Sequence, residues 1–424
     1  MQARSKIILD RLLAKPLAFL LNLIVWPLGK IIHRNHSDLP QQVKVIAIAK
    51  LLGMGSILRA TPLLKTLRKK YPHARYIFIT TLKNKVLIEH ILLIHKGYFI
   101  CDDSLFTLFK DIFILLFNLW KEKIDLYFDL EVYSAFSTIL ATLSLARNRY
   151  GFYRDSTRFR MGLNTHLVYF NEQKHISKIY LQLAHACGIE DMDYKIEGIV
   201  VKEEEKLELK KWFRSHNLEK NLPYLVINPN ASDLLLGRRW PLDYFVALIN
   251  ALVLDWHHPI FLLGSKEERS YVNILYNRLS EEAKKYAFNI AGELSLGQVM
   301  ELIRAAKLMI TNDSGLYHLA SIFLIPVISL WGPVSPQHYA SINNPKDFIF
   351  YHPEIYCSPC LHKTDFPPCR GNNVCMKSIS PKEVYLKACE ILGIIPITDT
   401  SYMEALYARE SQKILDITIL RVQK

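Results

Sequence analysis

The chain has 424 residues, half of them hydrophobic and 22% charged, which supplies material for two cores and excludes a disordered or fibrous class. The formal net charge is +13, yet no nucleic-acid module is recognisable and the basic residues are dispersed, so the charge points to a phosphorylated ligand or an anionic membrane surface rather than to nucleic acid. Four of the seven cysteines cluster late in the chain, and the isolated Cys101, Cys187 and Cys389 speak for a reducing compartment and against a secreted disulfide scaffold.

Residues 1–36 stand apart. Pro16–Leu28 is almost wholly apolar; Arg4, Lys6, Arg11 and Lys15 precede it, and Lys30 and Arg34 follow. The run is shorter than the roughly 20 residues of a spanning helix, and Pro27 is expected to break it. It has no small-residue cleavage site of the signal-peptide kind. It reads as an interfacial helix, with apolar residues in the acyl boundary, Lys and Arg at headgroups and Trp26 at the interface. Packing on the protein's own body is the alternative.

Val43–Ala49 is a buried-strand run entering the glycine-bearing turn Lys50–Ser56. A helical pattern over Ile57–Tyr71 and a strand at Tyr76–Thr80 complete a βαβ unit. The turn lacks G-x-G-x-x-G spacing, and there is no P-loop. Ser104–Trp120 is a strongly apolar helix, either core or a second membrane-facing surface, with core the preferred reading. The strand Ile124–Leu130 delivers Asp129 and Glu131 to its carboxyl end. Arg147–Arg154 is a basic turn, Leu167–Phe170 is strand-like, and Ile176–Cys187 is helical.

A charged helix, Lys202–Ser215, precedes a second alternation. The strand Tyr224–Ile227 leads through a loop to Arg238-Arg239-Trp240-Pro241. The strand Pro259–Leu263 ends in Gly264–Glu268. Phe288–Ile290 is a short strand, and Gln298–Ala306 is helical. The apolar run to Ile310 then enters Thr311-Asn312-Asp313-Ser314-Gly315, a helix begins at Leu316, and Pro326–Leu330 is the last strand before Trp331-Gly332-Pro333. The turn at 311–315 puts free N–H groups and a helix dipole at the carboxyl edge of a parallel sheet, where open α/β sheets bind ligands. Two rounds of alternation predict an α/β chain of two Rossmann-like, doubly wound domains, 37–205 and 206–395, facing a cleft. The helical tail 396–424 is expected to pack back on the first domain.

RRWP at 238–241, NDSGLYHLA at 312–320 and WGP at 331–333, with GMGSILRATPLLKTLRKKYPHA at 53–74, resemble glycosyltransferase family 9, the heptosyltransferases, over about residues 43 to 395. The resemblance implies a GT-B fold with an acceptor domain first and a nucleotide-sugar donor domain second. It implies inverting transfer of heptose from an ADP-activated donor to a lipopolysaccharide core or other lipid-linked saccharide, by a peripheral protein on the cytoplasmic face of the inner membrane. No cofactor and no metal are expected, because cationic side chains and N–H groups can hold the diphosphate.

On that resemblance Arg238, with Arg239 nearly as good, contacts donor phosphate, and Glu268 binds the ribose, with Glu267 open. The residues themselves put Asp313 at sugar hydroxyls, the Ser314 and Gly315 amides at the diphosphate, and His318 in reach of the same volume. Lys50 and Arg59 favour an anionic acceptor group. One departure matters: the family carries Gly-Asp, its proposed general base, where this chain has Gly55-Ser56. Ser56 cannot take a proton unaided. Glu131, ahead of Asp129, is then the candidate base, the two carboxylates sharing one face and repelling so that one pKa rises; a base elsewhere or loss of catalysis are the alternatives. A noncatalytic nucleotide-sugar-binding or scaffold protein and a sugar-nucleotide epimerase are the rival functions. Cys357, Cys360, Cys369 and Cys375 have part of a zinc-knuckle spacing, but the second pair lacks C-x-x-C, and structural thiols are preferred.

Overall fold

The computed structural model describes residues 8–31, 42–196, 198–218, 222–231, 236–361, 363–364 and 367–415. The chain divides into two units, Met1–Val200 and Val201–Lys424. Arg4, Lys6 and Arg34, counted above among the charges flanking the first apolar run, lie outside the described residues.

Six strands build the first unit: β1 Val45–Ala49, β2 Arg75–Thr81, β3 Lys96–Ile100, β4 Leu126–Asp129, β5 Asn148–Tyr153 and β6 His166–Tyr169. All pair in parallel, in the order β3-β2-β1-β4-β5-β6. The central strands are continuous apolar runs because helices cover both of their faces, as in VIAIA of β1. The second unit repeats the plan with β7 Leu225–Asn228, β8 Ile260–Leu262, β9 Ala287–Asn289, β10 Leu308–Asn312, β11 Val327–Leu330 and β12 Asp347–Phe350. Its order, β12-β11-β10-β7-β8-β9, is the same pattern counted from its own first strand. Both are the doubly wound Rossmann order. Each reverses once, between β1 and β4 and between β7 and β10, and ligand crevices open at such reversals.

Three expectations are corrected. Pro27 does not break the first helix: Asp10–Ile31 runs 22 residues, long and apolar enough by length and composition to cross a bilayer. Pro27 lies one turn from the helix end, where it removes a single rung of the ladder. One stripe of this helix packs on the first unit, with Ala14 and Ala18 buried against Ala135, Ile139 and Leu163. Asp10 accepts hydrogen bonds from Ala135 N (3.0 Å) and Phe136 N (2.9 Å), and so caps the helix Ala135–Leu143. The helix therefore lies along the unit, while Phe19, Leu20, Leu23 and Trp26 face outward.

The second correction concerns the apolar helix Leu105–Glu122, started by Ser104 as N-cap. Only its inner stripe, Leu115, Leu116 and Leu119, is core; the opposite side has no protein against it among the described residues, and Phe106 and Phe113 are 79% and 74% exposed. The third is the tail. Helix Ser401–Leu415 packs on the second unit, burying Met403 and Leu406 in that unit's core, and Tyr407 Oη donates to Ser378 O at 3.1 Å.

Candidate functional site

At the reversal of the second sheet, β7 and β10 both end in asparagine. Asn228 Nδ2 donates to Thr311 Oγ1 (3.1 Å) and Ser314 Oγ (2.9 Å), which fixes the turn after β10 against the end of β7. Asn312 Nδ2 donates to Pro229 O (2.9 Å), and its Oδ1 accepts from Trp240 N (3.0 Å). Asn230 Nδ2 reaches Leu263 O at 2.8 Å and ties in the loop after β8. Three neutral amides thus tie three strand-end loops together. Trp240, buried between Tyr244 and Phe245, anchors the far end of the Arg238-Arg239 loop.

Inside this frame Ser314 caps the helix Gly315–Ile322, accepting from Tyr317 N at 3.3 Å. Arg238 Nη1 lies 3.1 Å from Asp313 Oδ2, with both side chains largely buried. A guanidinium is therefore held beside a helix N-terminus, where backbone N–H groups and the dipole already favour an anion. The two arginines separate here. Arg239 stacks its guanidinium over the Tyr271 ring at 4.0 Å, a packing role, whereas Arg238 joins the turn. His318 is buried one turn into the helix, edge-on to Tyr317.

Glu268 stands at the helix Arg269–Asn277, and its Oε2 accepts from Ser265 N at 2.9 Å. Gly264 is required at this turn: a Cβ there would lie 3.0 Å from Asn230 Nδ2 and from Val272 Cγ2. Gly292, at φ +73°, lets the loop after β9 close on Gly264, with Gly292 N donating to Gly264 O at 2.9 Å.

The reversal of the first sheet is closed by its own side chains. Lys50 Nζ lies 2.8 Å from Glu131 Oε2, and Glu131 Oε1 accepts from Leu51 N (2.8 Å) and Leu52 N (2.9 Å). Burial pushes the Glu131 carboxyl up; the Lys50 charge and these hydrogen bonds outweigh it and hold the group below its ordinary value. Asp129 is fully buried. It accepts from Glu131 N (3.0 Å), Ser137 Oγ (3.0 Å) and Thr138 Oγ1 (3.3 Å), and faces Arg160 Nη1 at 3.6 Å. Burial raises its pKa, and Arg160 opposes that rise. The buried phenol of Tyr180 hydrogen-bonds Ser56 and is itself held well above its ordinary range by burial.

A family model for glycosyltransferase family 9 (heptosyltransferase) matches residues 119–369, more than half of the chain. The chain belongs to glycosyltransferase family 9. Lipooligosaccharide heptosyltransferase 2 of Haemophilus influenzae is 30% identical over 113 residues, 27% of this chain and 32% of that protein, so that match spans about a third of its length. Lipooligosaccharide heptosyltransferase 2 of Campylobacter jejuni is 26% identical over 344 residues, 80% of this chain and 95% of that protein. The structure of Escherichia coli ADP-heptose LPS heptosyltransferase II superposes with a TM-score of 0.66 at 20% identity, covering 82% of this chain and 98% of that one. The fold is GT-B, as the sequence motifs imply.

For a family 9 chain the second unit's frame holds Arg238, Asp313, Ser314 and Gly315 at one turn. The first unit departs from expectation. One of the two carboxylates, Asp129, is raised, chiefly by burial and in smaller part by Glu131, while Arg160 faces Asp129 and Lys50 faces Glu131. Asp129 has no exposed surface, and both oxygens of Glu131 are engaged by Lys50 and the Leu51 and Leu52 amides. The acceptor-site candidates Lys50 and Arg59 are both largely buried here. Arg59 is 1% exposed, and the Lys50 charge is spent on Glu131. Sequence reasoning passed over Asn228, Asn230 and Asn312. Their signal was present: asparagine closing two central strands, where an apolar residue would continue the run.

All seven cysteines are free thiols. Burial, with the neighbouring Cys360, Cys357 and Cys369, pushes Cys375 up to about 12, so it stays protonated and packs beneath Gly332, whose Cβ would meet its Sγ at 2.8 Å.

Proposed function

We propose that the chain is an inverting glycosyltransferase that moves heptose from a nucleotide-diphosphate donor, ADP-heptose, to a lipopolysaccharide core or another lipid-linked saccharide. The observation that carries this reading is the Arg238–Asp313 pair at the capped N-terminus of the helix Gly315–Ile322. An acceptor hydroxyl attacks the anomeric carbon as the nucleotide diphosphate leaves. The growing charge on the leaving diphosphate meets the Arg238 guanidinium, the Ser314 and Gly315 amides and the helix dipole. Asp313 keeps one oxygen for sugar hydroxyls while the other holds Arg238. Glu268, half-buried beside this frame, is the candidate ribose ligand. The acceptor proton leaves to a group other than Asp129 or Glu131.

Arg238→Ala and Asp313→Ala are each expected to weaken ADP-heptose binding by about 1.5–3 kcal/mol, the cost of losing a charge-assisted contact, with the fold retained but the thermal midpoint of the free protein lowered, because each also breaks a largely buried ion pair. Unchanged affinity in both variants, measured by calorimetry, sinks the assignment. A second reading, donor binding without transfer, has the Ser56–Tyr180 pair in its favour, since neither group is basic. Radiolabelled ADP-heptose with a lipid-linked acceptor decides: a labelled lipid product supports transfer, and its absence despite donor binding supports the second reading.

We further propose that the protein works peripherally at the cytoplasmic face of the inner membrane, held by the outward face of helix Asp10–Ile31. The apolar outer face, Lys30 over the Trp26 ring at 3.9 Å and exposed Arg11 support this. Removing residues 1–31 is expected to lower partitioning onto anionic vesicles at least about tenfold, and salt is expected to weaken binding of the full chain. Equal sedimentation of both proteins with vesicles would exclude this helix as an anchor.

A further inference from the structure

The helix Leu105–Glu122 leaves Phe106, Phe109, Phe113, Phe117 and Trp120 exposed. Positions 106, 113 and 120 are one heptad apart, and 109 and 117 fall beside them, so the five rings form one stripe along the helix. Soluble proteins seldom leave a contiguous aromatic surface of this kind without a partner.

Charge along the helix is sorted as well. Lys110 and Lys121 lie on the exposed stripe, and Lys121 sets its ammonium over the Phe117 ring at 4.1 Å. The helix's acids point elsewhere. Asp111 accepts from Cys101 N at 2.8 Å; Glu122 accepts from Tyr98 Oη at 2.6 Å and pairs with Lys96 (3.2 Å) and Arg75. The stripe therefore presents rings and cations, with its anions tied inward.

Helix Leu105–Glu122 and the first helix share a neighbour. In the helix Ala135–Leu143, Ala135 and Ile139 share a core cluster with Ala14 and Ala18, Leu140 and Ala141 share another with Leu115 and Leu119, and Phe136 packs against both clusters. Trp120 Nε1 donates to Leu143 O at 2.7 Å, and Leu145 beyond it is 65% exposed. Both apolar helices thus flank a single helix of the first unit.

We propose that the exposed face of Leu105–Glu122 is a second membrane contact, seated on an anionic phospholipid surface together with helix Asp10–Ile31. Rings enter the acyl boundary while Lys110 and Lys121 meet headgroup phosphates. Two helices on one unit fix the orientation of that unit on the bilayer, which a single helix does not. The inference rests on the peripheral-membrane reading above.

The test uses the full chain on vesicles of phosphatidylglycerol with phosphatidylcholine, and on phosphatidylcholine alone. Phe109→Ser, Phe113→Ser and Phe117→Ser together remove exposed rings only, so the thermal midpoint is expected to hold. Partitioning onto the mixed vesicles is expected to fall at least about tenfold. Lys110→Glu with Lys121→Glu is expected to weaken binding to the mixed vesicles and leave the weaker binding to phosphatidylcholine unchanged. Lipids brominated near the headgroup are expected to quench fluorescence that Trp120→Phe removes. Wild-type partitioning by the triple variant, with loss on Leu20→Ser and Leu23→Ser, overturns this inference and leaves the first helix as the anchor. No vesicle binding by the wild-type chain overturns both. A wild-type dimer that the triple variant converts to a monomer, without a change in partitioning, assigns the face to a second copy of the chain and also overturns the inference.

Discussion

Replacing Arg160 by methionine is expected to lower the unfolding midpoint of the first unit by on the order of 10 °C, from the cost of breaking a buried ion pair and the midpoint shift per kcal/mol for a unit of this size. Its side chain and that of Asp129 are both 0% exposed. Arg160 Nη2 also donates to Ser134 O at 2.9 Å and to Glu131 O, which pins the segment after β4. Methionine fills much of the volume but leaves Asp129 as a buried charge and strips two carbonyls of a donor. Breaking such a pair from one side costs about 3–5 kcal/mol, whereas replacing both partners by apolar groups is often near neutral. Arg160→Met combined with Asp129→Leu is therefore expected to recover part of the loss, which scanning calorimetry would read directly. A single variant with an unchanged midpoint would mean that Asp129 is not charged in the fold.

Glu131→Gln is the second large effect, and it separates structure from chemistry. Glutamine keeps the size and the Leu51 and Leu52 contacts within reach, but leaves the Lys50 ammonium buried and unpaired. A loss of about 3–5 kcal/mol is expected on the same grounds. The pH dependence has a definite sign. The folded pKa of Glu131 lies below its ordinary value, so the pair's contribution is complete above that ordinary value and is lost as pH falls through the folded one. Acid should therefore weaken the wild-type unit more steeply than the variant. Turnover per folded molecule is expected to stay within about tenfold of wild type; removing a true general base would cost about 10²–10⁴-fold at unchanged donor affinity. A drop of that larger size would restore Glu131 as the base.

Of the twelve strands, nine were legible in the sequence; β3 and β12 were not, and Arg147–Arg154, read as a basic turn, carries β5. A parallel strand buried on both faces must be an unbroken apolar run, so Val45–Ala49 and the run to Ile310 stand out without any knowledge of their partners. The same locality made the turn after β10 legible. What was not legible depended on distant partners. Arg238 finds Asp313 75 residues away, and Glu131 finds the Leu51 amide 80 residues upstream. Before folding, Asp129 and Glu131 were two carboxylates at a strand end; Arg160 and Lys50 decide their state. Helix Leu105–Glu122 misled for a related reason. Apolar periodicity shows that a face exists and says nothing of what lies against it.

The asparagine frame of the second unit has one more consequence. Asn228, Asn230 and Asn312 hold their three loops with amides that neither titrate nor attract counterions. The shape of this frame is thereby uncoupled from its charge. Salt can weaken the Arg238–Asp313 pair while the scaffold beneath it stays put. Side chains carried by those loops can likewise be exchanged without redrawing the backbone that presents them. Such a frame works as a chassis, on which single substitutions can change what the loops present while the fold underneath is left alone.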